Sequence, residues 1–162
     1  MIHIRAYAPE DLAALHAINE QGVPGVSRET PESLAKWLSL FECLVAVDDT
    51  DRPLGFLNLV LPGTAAYTSA NLRWFEARGG NLIYVDRIAI DAACRGERLG
   101  EALYGAAFAR YGPRFASIGC EVNRLPPNPG SLRFHKRLGF VEVGARAFVP
   151  GEKEVIYLER PI

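Results

Sequence analysis

The sequence is short of paired cysteines, of excess charge and of long apolar runs. Its three cysteines, Cys43, Cys94 and Cys120, are scattered, and none belongs to a CxxC pair. That pattern argues against a disulfide framework or a structural zinc site and suits a reducing compartment. The formal net charge is −1, so no overall positive field points to nucleic acid or an anionic membrane. No apolar stretch approaches the roughly 20 residues needed to span a bilayer. The opening Met1-Ile2-His3-Ile4-Arg5 has neither the charged nor the apolar region of a signal peptide. There is no G-x-x-x-x-G-K-[ST] loop and no G-x-G-x-x-G fingerprint. These absences leave the expectation of a cytoplasmic chain with no metal, no nucleic-acid partner and no membrane contact.

What is present is an ordinary globular composition, 49% apolar and 23% charged over 162 residues. That is enough for one core, so a single domain over 1–162 is expected. Ile2 to Ala6 alternates as a short strand, and Leu12, Leu15 and Ile18 recur at helical spacing before Gly22 and Pro24. Thr30-Pro31-Glu32 starts a second helix. Cys43 to Val47 and Leu54 to Leu61, joined by an Asp-rich turn, read as a hairpin. Residues 62–80 are the least regular, with a short helix around Asn71 to Glu76. Leu82 to Ile90 reads as a long strand and Leu99 to Tyr111 as a helix. Ser117 to Val122 is a strand, Ser131 to Leu138 a helix, and Val141 to Phe148 and Val155 to Leu158 the last strands. This order predicts an α/β (α+β) fold with helices on both faces of a mixed sheet.

Chemistry concentrates between Tyr84 and Leu103. A strand, the turn Arg95-Gly96-Glu97-Arg98-Leu99-Gly100 and an apolar helix form a strand–loop–helix unit. Backbone amides at a helix N-terminus, backed by the helix dipole, make an anion site. Gly96 and Gly100 let the backbone come close to a ligand, and Arg95 and Arg98 add charge suited to phosphate. Taken alone, the same stretch also reads as a tight turn carrying two surface arginines.

A second motif follows one strand and one helix later: Asn128-Pro129-Gly130-Ser131-Leu132-Arg133-Phe134-His135-Lys136-Arg137-Leu138-Gly139-Phe140. Together the two segments resemble the signatures of the GNAT superfamily of N-acetyltransferases. The first is similar to that family's [RQ]-x-x-G-x-[GA] pyrophosphate loop, with Arg98 where the family usually has glycine. The second is similar to its N-x-x-[SA]-x-x-[FL]-[YH]-x-x-x-G-F helix. The resemblance runs over about residues 82–148 and implies a mostly antiparallel central sheet of about seven strands, splayed at a cofactor cleft. It implies acetyl-CoA as cofactor and acetyl transfer to a primary amine by direct attack in a ternary complex. A CoA-binding module without turnover is a further reading of the same motifs.

The resemblance also implies roles. The main chain of Ile88, Ala89 and Ile90 would pair with the pantetheine arm. The amides of Arg95, Gly96, Glu97, Arg98, Leu99 and Gly100 would hold the pyrophosphate, with Asn128, Ser131 and His135 completing the cofactor contacts. An attacking amine must be neutral, so a base has to remove a proton directly or through water. Asp86 and Glu121 are the two candidates; for Asp86 a pair with neighbouring Arg87 is the structural alternative. His135 stands where relatives carry tyrosine and is a candidate proton donor to the leaving thiolate, its alternative being a packed helix-face histidine. Tyr67, Arg73, Trp74 and Tyr84 are expected on the acceptor side, although Trp74 and Phe75 also read as plain packing. Nearby arginines suit a small amine or amino acid more than a protein amine, and the C-terminal strands leave an edge available for a homodimer.

Overall fold

A computed structural model describes residues 1–162 of the chain. It contains seven strands and five α-helices. The strand order is β1-β2-β3-β4-β5-β7-β6. The chain forms two compact units, Met1–Val60 with Asp86–Arg110, and Leu61–Val85 with Tyr111–Ile162. No helix is long and apolar enough to cross a membrane.

The first unit holds β1 (His3–Ala6), α1 (Leu12–Gly22), α2 (Pro31–Leu40), β2 (Glu42–Val47) and β3 (Pro53–Val60). α2 begins as the sequence suggests: Thr30 accepts from the Ser33 amide at 3.1 Å, and Pro31 fills a position whose missing N–H costs nothing. β1, β2 and β3 pair antiparallel in succession. Leu15, Ile18, Leu34, Leu38, Val45, Phe56 and Ala89 form the main apolar cluster of this unit. The unit also contains residues 86–90 of β4 (Leu82–Ile90) and α4 (Leu99–Tyr111). Gly55 lets β4 come close, since a Cβ there would sit 2.7 Å from Ile90 Cδ1 and 3.0 Å from the Ala89 carbonyl.

The second unit holds α3 (Ala70–Arg78), residues 82–85 of β4, β5 (Ser117–Leu125), α5 (Pro129–Arg137), β6 (Val141–Val149) and β7 (Lys153–Pro161). β4 pairs parallel with β5 through Leu82, Ile83 and Tyr84 against Ser117, Ile118 and Gly119. β7 then pairs antiparallel with both β5 and β6. α3 is longer than the expected Asn71–Glu76, because Ser69 caps its start and Gly79, at φ +74°, stops it. α5 starts two residues earlier than expected, with Asn128 as its cap and Pro129 in the first turn.

Two glycines seat α3. A Cβ at Gly119 would meet Phe75 at 2.8 Å, and one at Gly144 would meet Trp74 at 2.4 Å. Gly144 lies in register with Tyr157, on whose ring Trp74 stacks at 4.0 Å and 13°. Glycine inside a strand commonly marks such a close approach.

Candidate active site

The first unit carries the candidate phosphate site. β4 ends in a 3-10 turn, Ala92–Cys94, held by Asp91 accepting from the Ala93 amide and by Gln21 accepting from the Ala92 amide. The chain then passes through Gly96 at φ +88° and Arg98 at φ +62°, both left-handed. A Cβ on Gly96 would meet nothing within 4 Å, so the turn itself requires that glycine, not packing. Arg98 takes up the conformation that the family's usual glycine adopts freely.

Arg98's side chain turns along α4 and pairs with Glu101 at 2.7 Å. The first intrahelical bond of α4 runs from the Ala102 amide to the Arg98 carbonyl at 3.1 Å. By helix geometry the amides of Leu99, Gly100 and Glu101 therefore have no acceptor within the helix. With exposed Arg95 beside them, these groups fit a diphosphate. Along β4, Ala89 is buried in the main cluster and Ile90 packs against Leu54, Cys94 and Leu99. Their side chains are thus part of the apolar packing.

Asp86 lies just before this run, and its side chain is 2% exposed. It accepts from Arg87 Nε at 2.7 Å and from Asn58 Nδ2 at 3.2 Å. Arg87 is itself buried and donates to Asn19 Oδ1 at 3.0 Å, to the Ser27 carbonyl at 3.3 Å and to Glu29 at 2.9 Å. Burial alone would lower the guanidinium's pKa, but Asp86 and Glu29 outweigh it and hold the group charged. The network ties the α1–α2 connection to β4. Nothing in the sequence marked Asn19 or Glu29 as members, because the contacts span dozens of residues.

The second unit carries the other candidates. Tyr84, fully buried, donates its hydroxyl hydrogen to Glu121. Tyr84 is in register with Gly119, so Glu121, two residues on, shares that sheet face. Tyr157 pairs with Glu121 across β5 and β7 and donates to Asn71 Oδ1 at 2.8 Å. Tyr67 packs near Tyr84 at 6.3 Å between centroids, and Phe75 at 5.8 Å. The expected acceptor residues Tyr67, Trp74 and Tyr84 therefore belong to one aromatic group on a face that also bears Glu121. Arg73 is exposed on α3, next to Trp74 in the chain. Tyr157 and Asn71 were not singled out by their local pattern; only the β5–β7 register brings them in.

On α5, Asn128 Oδ1 accepts from the Ser131 amide at 3.4 Å. His135 is buried, and its Nδ1–H donates to the Ser131 carbonyl at 2.8 Å. A carbonyl only accepts, so in the neutral ring Nδ1 carries the proton and Nε2 is an acceptor. Burial pushes the imidazole pKa down, opposed in part by that bond. Phe134 and Phe140 meet the ring edge-on at 5.1 and 5.3 Å.

The chain belongs to the Acetyltransferase (GNAT) family, whose sequence pattern matches residues 12–140. It is therefore an acetyltransferase that draws its acetyl group from acetyl-CoA and acts on an amine acceptor. No curated protein sequence matches the chain.

Among solved structures, a GNAT superfamily phosphinothricin acetyltransferase from Sinorhizobium meliloti, in complex with AcCoA, superposes with TM-score 0.72 at 19% identity, covering 99% of this chain and 88% of that one. A ribosomal-protein-alanine N-acetyltransferase from Brucella melitensis gives 0.75 at 18%, covering 99% of each. An N-acetyltransferase from Staphylococcus aureus gives 0.74 at 17%, covering 99% and 98%. At these identities they share the fold of this chain, and the acceptors named for the first two differ.

Proposed function

We propose that this acetyltransferase acts on the primary amine of a small, carboxylate-bearing molecule such as an amino acid, with Glu121 as the base. The observation that carries the reading is the contrast between the two candidate carboxylates. Asp86 is buried, and its carboxylate is already engaged by Arg87 Nε and Asn58 Nδ2. Glu121 is partly exposed and receives a neutral phenol on an aromatic face. An ammonium group is favoured beside aromatic rings and a carboxylate.

Acetyl-CoA, when bound, would supply an acetyl thioester: the neutral amine nitrogen forms the new C–N bond, the C–S bond breaks, and CoA leaves as the thiolate, which takes up the second proton that the nitrogen loses. Glu121 takes the proton that the ammonium must lose, directly or through water. The amides of Leu99, Gly100 and Glu101 and the charge of Arg95 would hold the pyrophosphate, and the main chain of Ile88 to Ile90 would orient the pantetheine arm. Asn128 and Ser131, at the start of α5, would add further contacts to the cofactor. His135, neutral and bonded through Nδ1, serves as a packed support for α5 rather than as a proton donor. Arg73, exposed on α3, suits an acceptor carboxylate.

The acceptor named for the Brucella relative, a ribosomal-protein alanine, makes a protein or peptide amine the second reading. Thiol release from acetyl-CoA, measured with free amino acids and with peptides of matching N-terminal residue, separates the two. Faster turnover of peptides would overturn the small-molecule assignment.

A further inference from the structure

We propose that Tyr84 is a positioning residue for Glu121, fixing its carboxylate and setting the pH at which it accepts a proton; the inference rests on the reading of Glu121 as the base. Its ground is where β4 and β5 place the two side chains. Tyr84 is opposite Gly119, and the diagonal neighbour two residues along a paired strand lies within reach of a long aromatic side chain. Because Gly119 has no side chain, Phe75 occupies the space above it, 2.8 Å from where a Cβ would stand. The Tyr84 ring is thereby enclosed: it is fully buried, with Phe75 at 5.8 Å and Tyr67 at 6.3 Å. Its hydroxyl is delivered to Glu121 by a ring with little rotational freedom.

A donor to an ionised carboxylate stabilises the charged form and so lowers the pH at which it protonates. It also holds one oxygen, leaving the other oriented by the same bond. Other titratable and charged groups lie on the elements around Glu121. Tyr157 of β7 faces it in register, and Arg146 of β6 bonds the Tyr157 hydroxyl. From α3, Asn71 is neutral and Arg78 is engaged with Glu159 at 3.2 Å. Burial raises the Tyr157 phenol, so it stays neutral through the working range. Tyr84 donates directly to the carboxylate and tunes it without adding charge.

The test is a carboxyl ¹³C NMR titration of glutamate-labelled protein, with Glu121 identified by the resonance that Glu121→Gln removes. Tyr84→Phe keeps the ring and deletes only the hydroxyl. The expected result is a Glu121 midpoint higher by about one pH unit in Tyr84→Phe than in wild type, with the stabilisation by acetyl-CoA unchanged. An unmoved or lowered midpoint would overturn the proposal.

A second measurement needs no change at Tyr84. With ¹³Cζ-labelled tyrosine, the Tyr84 resonance of wild type should titrate with the Glu121 midpoint, and Glu121→Gln should abolish that response. A Tyr84 resonance indifferent to Glu121 would equally refute the coupling. The base reading fails separately: Glu121→Gln retaining amine-dependent thiol release would remove Glu121 as base while leaving the NMR coupling intact.

Discussion

Arg98 is the position where a physical cost is most exposed, and its size can be worked out. A side chain in the left-handed region costs about 1–2 kcal/mol, which glycine does not incur. Arg98 stands there at φ +62° and recovers little, because its partner Glu101 is an exposed i,i+3 neighbour and such pairs contribute about 0.3–0.5 kcal/mol. Arg98→Ala loses the pair and keeps the backbone cost. Arg98→Gly loses the pair and relieves the cost, but gains about 0.5–1 kcal/mol of unfolded-state freedom. Glycine should therefore exceed alanine by about 1 kcal/mol, or about 2–4 °C in Tm for a chain of this size.

The assay is thermal unfolding of both variants with and without CoA. Stabilisation by CoA should persist in Arg98→Gly, since the amides proposed to hold phosphate depend on the turn and not on this side chain. An alanine variant as stable as the glycine variant would refute the claim that this turn demands a left-handed residue.

Two further outcomes follow from packing and from burial. Gly144→Ala places a methyl against the Trp74 ring and should destabilise by about 1–3 kcal/mol, with tryptophan fluorescence reporting loss of the Trp74–Tyr157 stack; unchanged stability would mean that α3 does not depend on that slot. His135 has its folded pKa pushed below the ordinary value of 6.5 by burial. The folded state therefore favours the neutral ring, and its contribution is present above about pH 6.5 and lost as pH falls toward the folded value. His135→Gln should flatten the difference between unfolding free energies measured at about pH 7.5 and about pH 5.5, and an unaltered difference would assign the acid sensitivity elsewhere.

The elements that carry the cofactor motif were legible because local signals define them. Leu82–Ile90 and Leu99–Tyr111 fall where the sequence reading put them, since an apolar run and a helical stripe flank a turn rich in glycine and charge. α5 starts two residues before the expected Ser131, because a proline is accommodated in a first helical turn behind an asparagine cap. The face around Glu121 was only half legible. Tyr84 and Glu121 could be nominated separately, but their bond depends on a parallel register that no local pattern encodes. The same holds for Gly119 and Gly144, which read as ordinary strand glycines until α3 is laid over them. Arg87 was visible as a neighbour of Asp86; that it also gathers Asn19, Ser27 and Glu29 is a long-range fact.

Amine-dependent release of CoA thiol from acetyl-CoA, measured for wild type and Glu121→Gln across free amino acids and peptides, tests the central claim most directly. The account predicts turnover with amino acids that falls by about 10²–10⁴-fold in Glu121→Gln, while acetyl-CoA stabilises both proteins equally. Full turnover by Glu121→Gln, or loss of activity only in Asp86→Asn with its fold intact, would contradict it.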